Sequence, residues 1–427
     1  MSEDVAARTG TAGISGAGAR TQTAGTPGAP PPVCEWPAQD LTGTRFDPVL
    51  AGLMDQGPLH RIRLPHGEGW AWLVTRYDDV RMVTNDARFT RRQVPGRDIT
   101  RLAPHFKPKP GSLAFADGGD HHRLRRVVWP ALSASAVEGR RGRAQELIDG
   151  LMDGLLRDGP PADLVERLLA PFPVDLVCEV MGVPPEDRAQ LKEWTDQIVF
   201  PAADASATGQ VKERLYGWLG EAVRARRGST GEDVLSLLGA GVSRGELTEE
   251  EAAGVAGPLQ IGGEAVTNNT GQMLYLLLTR PELLAALTER PELRPRAIDE
   301  LLRYIPHRSA VGLARIAEED VELHGHTIKA GDAVYVSYLA ANRDAEVFPR
   351  PEEIDFDRAA QAHVSFGHGT HYCVGGLLAR MQIDLLMDAV LDRLPQLRLA
   401  VPADEVPWRS RALIRGPRAL PVAWAIG

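Results

Sequence analysis

The sequence predicts a mainly α-helical fold with a small β region, and three observations predict it. Apolar residues recur at helical spacing through most of 141–228 and again in 377–386. Thr248 and Glu251 form a capping box that opens an extended helical run reaching about Thr279. Alternating segments with glycine turns are confined to short stretches, chiefly 70–74 and 319–340. With 427 residues, 43% of them hydrophobic, the chain can bury a large core.

Composition bounds the partners. Net charge is −9, so no general affinity for nucleic acid is expected. The three cysteines, Cys34, Cys178 and Cys373, lack zinc spacing and indicate no disulfide framework, which fits a reducing compartment. No run of about 20 apolar residues occurs, and no signal-peptide core opens the chain. A soluble, cytoplasmic monomer without membrane contact is expected. Residues 1–33 are dominated by Ala, Gly, Thr, Ser and Pro, a low-complexity tail expected to be disordered. Residues 34–427 are expected to form a single domain.

Taken in order, 70–74 reads as a strand and 78–85 as a helix. Residues 88–114, with Phe89, His105 and Phe106, form a long irregular segment of the kind that is often functional. His121 and Arg125 are four apart and share one helix face. Arg123 and Arg126 on that helix read as solvated; with Arg140, Arg141 and Arg143 they make a candidate basic patch. Cys178 belongs to an apolar helix face. Trp194, Phe200 and Trp218 lie in helices expected over a pocket, where plain packing is the competing reading.

The helix opened by Thr248 should kink at Gly257 and Pro258. It carries Glu264, Ala265 and Thr267, with Ala265, Asn268, Asn269 and Gln272 on a common face. Internal amides need polar partners, either a substrate or backbone and water. Glu300 and Arg303 meet at i, i+3 on a further helix. Residues 306–315 should form a strand, 319–340 short hairpins, and 412–417 a further hairpin.

The most informative stretch is Phe366-Gly-His-Gly-Thr-His371-Tyr-Cys373-Val-Gly375. It presents one cysteine in a glycine-rich loop just before an apolar helix. Unpaired N–H groups at the helix start favour a thiolate there. Glycines let the backbone pass close to something flat, and Phe366 can cover it. A soft thiolate held this way suits a haem iron; a buried structural cysteine is the plain alternative.

This stretch resembles the haem-binding loop of the cytochromes P-450, and the resemblance extends over roughly 40–427. It implies the mainly helical P-450 fold, haem b held by Cys373 as the iron ligand, and an oxidoreductase that activates O2. It implies electrons from NAD(P)H through a ferredoxin and its reductase, docked on the basic patch. His121, Arg125, Arg315, Phe366, His371 and Gly375 become haem contacts, and Glu300, Arg303 and Arg358 a structural trio. Glu264 takes the place of the family's acid and Ala265 that of its usual threonine. Protons must then come from Glu264, water or the substrate, because Ala265 has no hydroxyl. Phe89, Asn268, Asn269, Gln272, Ser309, Val311 and Leu413 are the expected substrate contacts. The resemblance implies a polar, aromatic secondary metabolite, such as a cyclic dipeptide, oxidised by radical coupling or hydroxylation. Hydroxylation or epoxidation of a macrolide- or terpene-type compound is the alternative, and a non-catalytic haem sensor or electron carrier the alternative from another class.

Overall fold

The computed structural model describes residues 30–37, 41–104, 111–200, 205–307, 311–359, 361–410 and 414–426. Ser309 and Leu413, expected at the substrate, lie outside the described residues, as do His105 and Phe106 and nearly all of the 1–33 tail.

Helices dominate. They are α1 Pro48–Gln56, α2 Tyr77–Asn85, α3 Gly118–Leu132, α4 Ala134–Gly139, α5 Arg141–Asp158, α6 Pro171–Met181, α7 Pro185–Val199 and α8 Ala205–Ala225. The second half adds α9 Val234–Ser243, α10 Glu249–Ile261, α11 Gly263–Thr279, α12 Pro281–Glu289, α13 Arg294–Tyr304, α14 Tyr338–Ala341 and α15 Gly376–Arg393. Strands β1 Val33–Glu35, β2 Leu59–Arg63, β3 Ala71–Val74 and β4 Phe89–Thr90 come early. Then follow β5 Ala162–Asp163, β6 Arg315–Ala317, β7 Val321–Leu323, β8 His326–Ile328, β9 Ala333–Val336, β10 Arg398–Leu399 and β11 Pro421–Ala423. The largest sheet runs β1-β2-β3-β9-β6-β4, with Trp72 and Arg315 both in register with Val334.

The main core joins α5, α6, α11, α13 and α15, through residues such as Ile148, Phe172, Leu274, Leu301 and Leu386. Burial of so many apolar side chains, each contributing about 1.5–3 kcal/mol, holds the helices together. Within it α11 packs against α15, and this pair frames the site. Cys178 is fully buried, as its spacing predicts. Leu378, Met381, Leu385 and Leu386 of α15 are buried too, but Leu377 is exposed and leaves the predicted stripe. Among the described residues no single helix is long and apolar enough to cross a membrane.

Several expectations are corrected. The capping box forms as predicted, with both the Thr248 and Glu251 side chains engaged. The helix, however, passes through Pro258 and breaks at Gly262. There the Gly262 N–H reaches Leu259 O at 3.1 Å and the Ala265 N–H reaches Gly262 O at 3.2 Å, i to i−3 contacts that tighten the turn. Two successive glycines, poor helix formers, make this the weak point. Among the described residues of 306–315 only Arg315 lies in a strand, and 338–340, expected within hairpins, belongs to the helix Tyr338–Ala341. Phe89 does not face a substrate: it pairs with Ala317 in the sheet and packs with Val74, Tyr77 and Val80. Val311 is likewise buried, in a cluster with Ala314, Tyr335 and Leu339.

Candidate active site

The loop before α15 is built by its own backbone. The Cys373 N–H donates to Phe366 O at 2.8 Å, Tyr372 N–H to Gly369 O at 3.0 Å, and Gly376 N–H to Cys373 O at 3.2 Å. Gly369 has φ +70°, and a Cβ there would stand 2.7 Å from Thr84 O, so only glycine fits. Cys373 is left exposed three residues before the first turn of α15. A Cβ added at Gly375 would meet nothing within 4 Å, which leaves room for a flat group over the helix start.

Polar side chains from separate elements converge beside this loop. His121, on α3, is almost fully buried, and its ring lies 4.5 Å from that of His371. Burial, first of all, pushes both imidazoles down to about 4. Arg125, one turn on, donates to Tyr372 O at 2.8 Å and lies within the field of Cys373. Arg315 acts on His371 from β6. His121 Nδ1 and Arg315 Nη2 are buried without a partner among the described residues. Orphaned donors and cations of this kind call for anionic acceptors. His368 is turned aside, bonded to Thr84 Oγ1 at 3.1 Å and to Arg81 Nε at 3.2 Å.

The opposite wall is α11. Glu264 is only 2% exposed, and neither carboxyl oxygen has a hydrogen-bond partner among the described residues. Burial, then the nearby Asp196 carboxylate, pushes its carboxyl up to about 7. Asp196, on α7, holds Lys192 Nζ at 2.7 Å. Ala265 and Asn269 are one turn apart and remain partly exposed on one face. The Asn269 Oδ1 atom is buried without a partner among the described residues. Thr267 is no substitute for the missing hydroxyl, because its Oγ1 donates to Leu169 O at 2.9 Å on another side of the helix.

Asn268 and Gln272, expected at the substrate with Asn269, each spend an N–H on a carbonyl, while their side-chain oxygens, like that of Asn269, have no partner among the described residues. The Asn268 Nδ2 amide donates to Glu264 O at 2.7 Å, and a Cβ on Gly416 would collide with its side chain. Gln272 Nε2 donates to Arg415 O at 2.8 Å. Gln272 therefore anchors the segment near 415–417, and the Asn268 side chain packs closely against Gly416. Successive residues turn by about 100°, so Asn268 and Asn269 part company on either side of Ala265, and Gln272 lies two turns further along.

Most of the basic patch is engaged by neighbours, while Arg126 is exposed as expected. Arg123 bonds Glu251 at 2.6 Å and Asp120 at 3.0 Å rather than facing water. Arg141 pairs with Glu138, and Arg143 with Glu146 and Glu179. Arg140 is taken up by the carbonyls of Ala131 and Ala136. Paired charges of this kind give a reduced net field, so Arg126 is the member of the group left exposed without an ion pair among the described residues.

Glu300 grips Arg303 at 2.7 and 2.8 Å and Arg358 at 3.1 and 3.2 Å. Sequence reading missed Asn342, which connects this trio to the cysteine loop. The Arg303 guanidinium donates to Asn342 O, Asn342 Nδ2 donates to Ser365 Oγ, and Asn342 Oδ1 accepts from Val364 N–H.

Biflaviolin synthase from Streptomyces coelicolor is 63% identical to this chain, over 93% of the chain and 97% of the relative. The chain belongs to the cytochrome P-450 family. The cytochrome P-450 family model matches residues 230–405. Nocardicin C N-oxygenase from Nocardia uniformis is 40% identical over 91% of this chain and 98% of its own. A solved cytochrome P-450 described as having biaryl coupling reactivity superposes with a TM-score of 0.88 at 42% identity, covering 92% of this chain and all of its own. The protein is thus a haem-thiolate oxidoreductase akin to those of actinobacterial secondary metabolism, using haem b, O2 and electrons from a redox partner such as ferredoxin.

The residues present fit that haem. The loop leaves an exposed thiol and open space at Gly375, and His121 and Arg315 offer buried, unengaged donors suited to carboxylates.

One prediction follows from Glu264. An ordinary glutamate ionises near 4.5, and this one near 7. Between those values the folded chain holds more protons than the unfolded chain, so stability falls as pH rises, by on the order of 3 kcal/mol. Glu264→Gln removes that fall. Urea midpoints of haem-loaded protein should show the variant gaining on wild type between pH 5 and pH 8; an equal difference at both pH values contradicts it.

Proposed function

We propose that this cytochrome P-450 joins two hydroxylated aromatic molecules by oxidative coupling. The observation that carries the reading is the Ala265–Asn269 face. A side chain with no hydroxyl stands where a proton donor is usual, and one turn on stands an amide whose carbonyl oxygen has no partner among the described residues. A substrate hydroxyl satisfies that acceptor and supplies the missing donor. The biaryl coupling described for the structural neighbour supports the same reading. A cyclic dipeptide is less favoured, because Asn268 and Gln272 each already spend an amide N–H on a backbone carbonyl.

Cys373 would hold the haem iron, with His121, Arg125, Arg315 and His371 at its carboxylates and Phe366 and Gly375 along its face. When bound, the haem supplies the oxidising power, which the thiolate strengthens. Glu264 holds a proton at its carboxyl near neutral pH and passes it inward, while Lys192 and Asp196 link it toward the surface. Asn269 orients the substrate by accepting from its hydroxyl. The closing segment held by Gln272 excludes water. Coupling removes one hydrogen from each of two substrates and forms one bond between them. Those two hydrogens, two electrons from the ferredoxin and two protons reduce O2 to two waters.

Product mass tests this. Haem-loaded protein, a surrogate ferredoxin, its reductase and NADPH are incubated with hydroxylated aromatic probes, including the monomer of biflaviolin, and with cyclic dipeptides. A mass of two substrates less two hydrogens supports the proposal; a gain of one oxygen by one substrate, from every probe, overturns it. Asn269→Leu should raise KM about 10-fold, on the order of 1.4 kcal/mol for one lost hydrogen bond, and an unchanged KM counts against the assigned contact. Ala265→Thr should leave coupling little changed; a large rise in turnover, with less peroxide released, means that the substrate hydroxyl does not do the work.

A further inference from the structure

Asp117 stands directly before α3, at its N-cap, yet its carboxylate caps nothing in that helix. An aspartate there ordinarily accepts from the first helical N–H groups and stabilises the helix by about 1 kcal/mol. Instead, one oxygen accepts from the Thr90 hydroxyl, from Arg91 N–H at 2.6 Å and from Arg92 N–H at 2.8 Å. The other meets His371 Nε2 at 3.1 Å, and that imidazole side chain is only 7% exposed. A single carboxylate thereby joins the segment after β4, the start of the helix bearing His121 and Arg125, and the cysteine loop.

We propose that Asp117 is a positioning residue that fixes the ring of His371 and, through it, the haem edge. A carboxylate flanked by three other donors is an acceptor, so His371 Nε2 must carry a hydrogen toward it. That assignment leaves Nδ1 of the neutral ring as an acceptor, so on the reading given above His121, Arg125 and Arg315 donate to the haem carboxylates and His371 is held beside them in a fixed orientation. Partners of this kind behind a haem- or metal-side histidine set its orientation and tautomer. The forgone helix cap is the local concession that marks the residue as serving the site.

The experiment compares wild type, Asp117→Asn and Thr90→Val as haem-loaded protein. Two quantities are read: the 15N signature of His371 in the reduced, carbon monoxide form, and the rate of haem transfer to apomyoglobin. Thr90→Val removes one donor from the carboxylate and leaves the histidine link intact. Asp117→Asn should alter the His371 signature and speed haem transfer roughly 10-fold, while Thr90→Val keeps the wild-type signature and rate. Unchanged values in Asp117→Asn, or equal acceleration in Thr90→Val, overturn the proposal. Should Asp117→Asn fail to fold, the wild-type spectrum decides: a protonated Nε2 supports it, and a neutral ring protonated only at Nδ1 overturns it. The inference rests on the haem reading, but fails separately: wild type lacking a thiolate spectrum defeats that reading, whereas an unaffected Asp117→Asn defeats only this one.

Discussion

Glu300→Ala is expected to cost about 3–5 kcal/mol and most of the haem-loaded yield. The Glu300 carboxylate is the common acceptor for two buried guanidiniums, with side chains 5% exposed for Glu300, 2% for Arg303 and 10% for Arg358. It also accepts the Asp355 N–H at 3.0 Å. Removing it leaves two cations without their counter-charge in a medium that solvates them poorly, and breaking a buried pair from one side carries a penalty of about that size. Against a total stability of roughly 5–15 kcal/mol, the loss is large. For a chain of this length it amounts to a drop of roughly 4–6 °C in Tm. Because Arg303 contacts Asn342, and Asn342 orders Val364 and Ser365, the cysteine loop should loosen first. Thermal unfolding and haem content per chain check this. A variant with unchanged Tm and full haem would mean the trio is incidental.

Cys373→Ser is expected to lower turnover by about 1,000-fold or more, roughly 4 kcal/mol of barrier, with the fold retained. The backbone N–H of residue 373 closes the loop on Phe366 O, and serine keeps that N–H, so the backbone geometry is retained. It replaces a soft, readily ionised ligand with a hard hydroxyl that stays protonated at neutral pH. Cys178→Ala, in the core, and Cys34→Ser, far along the chain from the loop, should leave the turnover of folded protein close to wild type. Far-UV dichroism together with turnover at saturating ferredoxin makes the comparison. Retention of more than about a tenth of wild-type turnover by the serine variant would require another ligand.

Legibility differed by the range of the interaction. The cysteine loop, the Thr248 box and the Glu300–Arg303 pair are written in spacings of three or four residues, or in glycines placed for one turn, and such patterns survive folding. The helical class and the short strands were legible for the same reason. What α11 meets was not: spacing put Asn268, Asn269 and Gln272 near Ala265, but only packing against 415–417 decides which amide faces the pocket. Phe89 went astray because an aromatic residue in an irregular stretch gives no sign that its two-residue strand will pair with Ala317. Arg123 was misread because its partner Glu251 lies far along the chain, whereas Glu138 and Glu146, three residues from Arg141 and Arg143, were legible as local pairs. Asp117 and Asn342 left a fainter signal, a polar residue at an N-cap and one beside a short helix. Neither position says that its side chain ties distant segments together.

Sulfur from Cys373 binding the iron underlies every role assigned above, and the reduced carbon monoxide spectrum of the intact, haem-loaded protein tests that bond directly. The expected result is the strongly red-shifted Soret band of thiolate ligation, lost in Cys373→Ser. A folded, haem-replete wild-type protein showing only the unshifted band of a neutral ligand would contradict it.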